Sequence, residues 1–149
     1  MATLTITSGL ADFHLIRGIP HVDEQAIIGQ ARFQAAPQFT GLEAMAQLGA
    51  LDVRRRIAFS GHAFLLKIVH SDWPRADSLG GLFRIEARPG SRSQRAFQYH
   101  ARLRGPVGQE MEAELMFGVV DYDDDFQKQH LQAYYRDLFT CLRNATNES

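Results

Sequence analysis

The chain has 149 residues, 45% of them hydrophobic, which matches one ordinary globular domain able to bury a core without disulfide or metal staples. Its net charge of -1 lacks the basic excess that nucleic acid or an anionic membrane surface would demand of a main partner. The one cysteine, Cys141, has no mate for an internal disulfide and lies beside no motif that would activate a thiol, so a reducing, cytoplasmic setting is expected.

Residues Met1 to Gly9 lack the positive charge and long apolar run of a signal peptide. No stretch of about eighteen apolar residues occurs, so no membrane span is expected and the protein should be soluble. Strands are expected at about Phe13 to Ile19 and Gln25 to Phe33. The run from Thr40 to Arg56 is rich in strong helix formers and predicts a helix. From Leu42 to Leu51 its only polar side chains are Glu43 and Gln47, so the helix is apolar on nearly every face and a sheet must wrap around it. A strand of bulky apolar residues is expected at His62 to His70.

Period-two alternation then marks three successive strands, through Phe83-Ile85-Ala87, Phe97-Tyr99-Ala101-Leu103 and Met111-Ala113-Leu115-Phe117-Val119. Polar residues such as Arg84, Glu86, His100, Arg102, Glu112 and Glu114 fall between, so one face is wet and the other buried. Pro89-Gly90-Ser91 and Gly105-Pro106-Val107-Gly108 supply turns, which makes these strands an antiparallel meander and brings the total to about six. Leu131, Tyr135, Leu138 and Leu142 recur at helical spacing behind Asp123, Asp124 and Asp125, predicting an amphipathic helix outside the sheet. The whole is a single domain over 1–149, with a core at about 13–120 and a helical extension at about 124–143.

Asp121, Asp123 and Asp125 imitate the opening of a calcium loop, but Phe126 occupies the glycine position and Gln132 that of the bidentate glutamate, so no metal site is expected. No serine-hydrolase elbow, phosphate loop, dinucleotide fingerprint or close histidine-cysteine cluster occurs.

The segment Pro37-Gln38-Phe39-Thr40-Gly41-Leu42-Glu43-Ala44-Met45-Ala46-Gln47 resembles the start of the central helix in the FabZ and FabA 3-hydroxyacyl-carrier-protein dehydratases, roughly Pro-Gly-Val, aliphatic residues, then Glu-Ala-Met-Ala-Gln. Phe64 to Ile68, Trp73 to Leu79 and Ala113-Glu114-Leu115 match the family less specifically. The resemblance implies an α+β hotdog fold, with the sheet wrapped around a buried central helix. It further implies an acyl thioester carried on the phosphopantetheine of an acyl carrier protein or on coenzyme A, no other cofactor, and a homodimer with pockets at its seam. The family's His-Phe-Pro-Gly loop is missing, since only Gln34-Ala35-Ala36 separates Phe33 from Pro37.

Dehydration needs a base for the C2 proton and an acid for the departing hydroxyl. Glu43 is the expected acid, since desolvation in an apolar cavity would favour its protonated form. Gln47, one turn on, either holds Glu43 or satisfies a buried backbone group. His62 is the outside candidate for the base, ahead of His21. Hydrolysis asks for less: Glu43 suits a thioesterase without histidine, with amides near Gly41 and Leu42 holding the oxyanion. A non-catalytic acyl or carrier-protein binder is the third reading. Phe39, Thr40, Gly41, Leu42 and Phe64 are the expected substrate contacts.

Two plainer readings stand beside these. Thr40 and Glu43 fit a Thr-x-x-Glu capping box. Arg54, Arg55 and Arg56 read as a solvated cap that complements the helix dipole, or as a dock for an acidic carrier protein. Lys67 and Arg75 read as surface charges.

Overall fold

The computed structural model describes residues 14–72, 78–122 and 125–145. Six strands, β1 (Ile16–Val22), β2 (Ile27–Ala36), β3 (His62–Asp72), β4 (Leu79–Arg92), β5 (Ala96–Arg104) and β6 (Glu110–Val120), form one antiparallel sheet. Their order is β1-β2-β4-β5-β6-β3. Helix α1 (Gln38–Arg56) follows β2, and helix α2 (Asp125–Ala145) follows β6. This is the α+β hotdog architecture. Of the segment Trp73 to Leu79, residues 73–77, Arg75 among them, lie outside the described residues, as do Phe13, Asp123 and Asp124.

Alternation fixes the meander. Register aligns Ile85 with Leu103 and Leu103 with Met111, and beside them Ala87 with Ala101 and Ala101 with Ala113, all six buried on the inner face. On the outer face Arg102 meets Glu112 at 3.0 Å and Arg104 meets Glu110 at 2.8 Å. A slip of one residue would exchange the two sets and drive these charges into the core, so the register is strongly specified.

Helix α1 lies against the inner face through Gly41, Ala44, Met45, Leu48 and Gly49. Two glycines set how closely it approaches. A Cβ at Gly49 would lie 2.6 Å from the Phe117 ring, and one at Gly29 of β2 would lie 2.8 Å from Leu48. A side chain at either position would force Leu48, Phe117 or the helix itself to shift.

The structure departs from the sequence reading or adds to it in four places. The helix begins at Gln38, and its cap residue is the extended Pro37, with no side-chain cap bond. Thr40 therefore sits inside the first turn, its amide donating to the Pro37 carbonyl at 3.0 Å, and the Thr40–Glu43 capping box does not form. Enclosure of α1 is one-sided: Glu43 is exposed and Ala46, Gln47 and Ala50 are half-buried, a strip the sheet does not cover. Helix α2 is amphipathic as expected but lies beside α1 on the helix-bearing side of the sheet. Its Leu142 is buried, and Arg143 donates to the Ile19 carbonyl of β1 at 2.9 Å. Finally, β3 is an edge strand whose Phe64, Leu65, Leu66, Ile68 and Val69 all remain exposed.

Candidate functional site

The uncovered strip of α1 forms one wall of a cavity of about 420 Å³. Glu43, Ala46, Gln47 and Ala50 stand at i, i+3, i+4 and i+7, the spacing that places side chains on one helical face. Ala63, Phe64 and Leu65 of β3 and Phe117 of β6 line it from the sheet, and Tyr134, Tyr135 and Leu138 of α2 close the opposite side. The lining is mainly apolar with few polar groups, the usual character of a small-molecule site.

Glu43, Gln47 and His14 are among the polar side chains brought together there. Glu43 is exposed at the cavity, not enclosed within this chain as expected. Gln47 Oε1 accepts the Leu15 amide at 2.7 Å and ties the segment ahead of β1 to the helix. The residue next to that anchor, His14, also lines the cavity. Its Nε2 is buried and has no hydrogen-bond partner among the described residues. Burial lowers the His14 pKa from its ordinary value, opposed by a hydrogen bond to the Ile16 backbone.

His14 escaped the sequence reading. Nothing in the sequence distinguishes it from other histidines at strand ends, and the Leu15–Gln47 bond that places it spans the chain.

The remaining expected residues are distributed differently. Phe64 lines the cavity, whereas Phe39, Thr40, Gly41 and Leu42 do not. Gly41 is packed against Leu103 and Leu79, where a Cβ would lie 3.0 Å from each. Gly41 and Leu42, whose amides were the expected oxyanion donors, thus lie outside the cavity lining. His62, at the start of β3, stacks edge-on against Tyr122 with centroids 4.5 Å apart and is not part of the lining. Lys67 is exposed on β3, as expected.

The three arginines are not a solvated cap. Arg54 is 5% exposed and lines the cavity. It donates to the carbonyls of Gly61 and Ala63 at 3.3 Å each, and its guanidinium lies 3.6 Å over the Tyr135 ring. Burial lowers its pKa from the ordinary arginine value. Arg55 and Arg56 turn back one helical turn to the fully buried Asp52, at 2.8 and 2.7 Å. Arg56 also donates to the Glu24 carbonyl at 2.7 Å. A buried carboxylate explains the arrangement, since without paired cations its desolvation would be prohibitive. These internal partners give the expected carrier-protein dock no support.

Among the described residues no group of three or more His, Cys, Asp or Glu side chains is placed to hold a metal ion, and no helix is long and apolar enough to cross a membrane.

No family model matches the chain, and no curated protein matches its sequence. Solved structures do match in fold. The thioesterase HI1161 from Haemophilus influenzae superposes with a TM-score of 0.62 at 16% identity, covering 82% of this chain and 89% of its own. A mutant form of the thioesterase PA1618 from Pseudomonas aeruginosa gives a TM-score of 0.62 at 16% identity, over 80% of this chain and 93% of its own. A hypothetical thioesterase from Streptococcus pneumoniae, solved with coenzyme A, gives 0.55 at 10% identity, over 71% and 87%. At such identities the likeness establishes the hotdog fold.

Proposed function

We propose that this chain hydrolyses acyl thioesters, with Glu43 as the base. The observation that carries the reading is the Glu43 carboxylate at a mainly apolar cavity, one helical turn from Gln47. A carboxylate so placed removes a proton from water as the water oxygen attacks the thioester carbonyl. Collapse of the tetrahedral intermediate breaks the C–S bond, and the proton held by Glu43 leaves with the thiol. The apolar lining suits an acyl group. Coenzyme A as the carrier is supported by the similar structure that binds it, and a carrier-protein phosphopantetheine presents the same thioester.

Dehydration of a 3-hydroxyacyl thioester, suggested by the helix motif, requires a base for the C2 proton, and the histidine loop that supplies it in the resembling dehydratases is missing here. The thioesterase similarities also favour hydrolysis. The same reading includes a homodimer joined along the edge of β3. Five exposed large hydrophobics lie within residues 64–69 of that edge, and Phe64 and Leu65 belong to both the edge and the cavity. A second copy there would cover the open side of the site.

The test is thiol release from saturated, enoyl and 3-hydroxyacyl thioesters of coenzyme A and of a carrier protein, with dehydration followed in parallel. Hydrolysis lost in Glu43→Ala is the expected result. Dehydration without hydrolysis would restore the dehydratase reading, and binding without turnover would leave an acyl-binding module.

A further inference from the structure

We propose that His14 is a second catalytic residue of this site: its neutral imidazole accepts a hydrogen bond from the attacking water, which it holds together with Glu43. The inference rests on the hydrolase reading and deepens it. Water has two hydrogens, and orienting its lone pair on a carbonyl carbon takes an acceptor for each. Glu43 is one acceptor and takes the proton that is transferred. A second acceptor holds the other O–H bond through the attack, and an imidazole in that place must stay neutral to remain an acceptor.

His14 meets those requirements on separate grounds. It lines the same cavity as Glu43. The Gln47 Oε1 bond to the Leu15 amide fixes its backbone to the helix turn that follows Glu43, so the two groups are tied through a single side chain. One ring nitrogen is held by the Ile16 backbone, while the other is buried without a partner among the described residues. A buried polar atom left unpaired is costly, and a bound water or substrate donor would recover that cost. The charged and titratable neighbours across the cavity are Glu43 and Arg54 of α1 and Tyr134 and Tyr135 of α2, while β3 presents only Ala63, Phe64 and Leu65. Burial favours the neutral ring, and the hydrogen bond to the Ile16 backbone opposes it.

The experiment measures thiol release against pH for the wild type, Glu43→Ala, His14→Leu and His14→Gln, each first shown to be folded by its circular dichroism. His14→Leu removes the acceptor and is expected to lower kcat by about a hundredfold with KM changed by no more than about twofold. His14→Gln restores an acceptor that does not titrate, so it should recover part of kcat and remove the imidazole's contribution to the acid limb of the wild type. Full kcat in His14→Leu, or an unchanged acid limb in His14→Gln, would overturn the proposal while a dead Glu43→Ala leaves the hydrolase reading standing. Wild-type protein inert toward every thioester would overturn both. Full activity in Glu43→Ala with loss in His14→Leu would overturn the pairing by leaving His14 as sole base.

Discussion

The Tyr99 hydroxyl donates to Asp52 Oδ2 at 2.6 Å, and both side chains are fully buried. The bond joins the middle of β5 to the C-terminal half of α1, and Arg55 and Arg56 complete the shell of the same carboxylate. Burial and the Asp52 carboxylate raise the Tyr99 pKa well above the ordinary phenol value, so Tyr99 remains a donor throughout the physiological range. Asp52→Ala should cost about 3–5 kcal/mol in urea unfolding because it strands two arginines and a buried hydroxyl. Tyr99→Phe removes one bond to a charged acceptor and should cost about 1.5–3 kcal/mol. The double variant should cost less than the sum. Losses no larger than those of an exposed substitution would show that the shell is not a structural anchor.

The architecture was legible because alternation in β4 to β6 and the apolar run in α1 are local patterns with a period. Glu43 and Gln47 were legible for the same reason, being the only polar residues on an apolar stretch. The helix start was misread because Thr40 has cap chemistry, whereas Pro37 ends the extended segment and begins the helix through backbone geometry alone. Arg54 to Arg56 were misread because charge normally marks a solvated face. The nearby Asp52, three and four residues before Arg55 and Arg56, is the signal that would have turned them inward. His14, Tyr99 and Tyr135 act through contacts distant in sequence, and one sequence carries no mark of such pairings.

The lowered pKa of His14, caused first by burial, has a consequence for stability as well as catalysis. Below the ordinary value of 6.5 the unfolded chain takes up a proton that the folded site resists. The unfolded state therefore binds more protons, and the contribution present above that pH is lost as pH falls through the folded pKa. Unfolding free energy measured between about pH 7.5 and about pH 5 should decline less steeply in His14→Gln than in the wild type. An equally steep decline would assign the acid loss to other groups.

The exposed edge of β3 gives a prediction about assembly. A long apolar edge strand left uncovered invites pairing with another chain. Val69, 46% exposed, and Leu66, 51% exposed, are the positions to charge. The wild type should elute at twice the chain mass in size exclusion with light scattering, and Val69→Lys or Leu66→Lys should shift it toward the single-chain mass. Because Leu66 packs on Gly118, where a Cβ would lie 3.0 Å from it, Val69→Lys is the cleaner of the two. A wild type of single-chain mass at all concentrations would remove the homodimer from the proposed function.

Arg54 separates an internal anchor from a docking residue. Its guanidinium joins three elements: its own helix, the Gly61 and Ala63 carbonyls at the start of β3, and the Tyr135 ring of α2. Arg54→Met keeps most of the apolar stem but leaves two carbonyls without donors and the ring without its cation, and should cost about 2 kcal/mol. A double-mutant cycle with Tyr135→Leu should return a coupling of about 1 kcal/mol. Amide exchange in α2 should accelerate before exchange in β4 and β5, because this stack is one of the ties between α2 and α1, whereas the central strands keep their ladders. A docking residue behaves in the opposite way: its loss would leave urea unfolding and α2 exchange untouched and weaken only the binding of an acidic carrier protein.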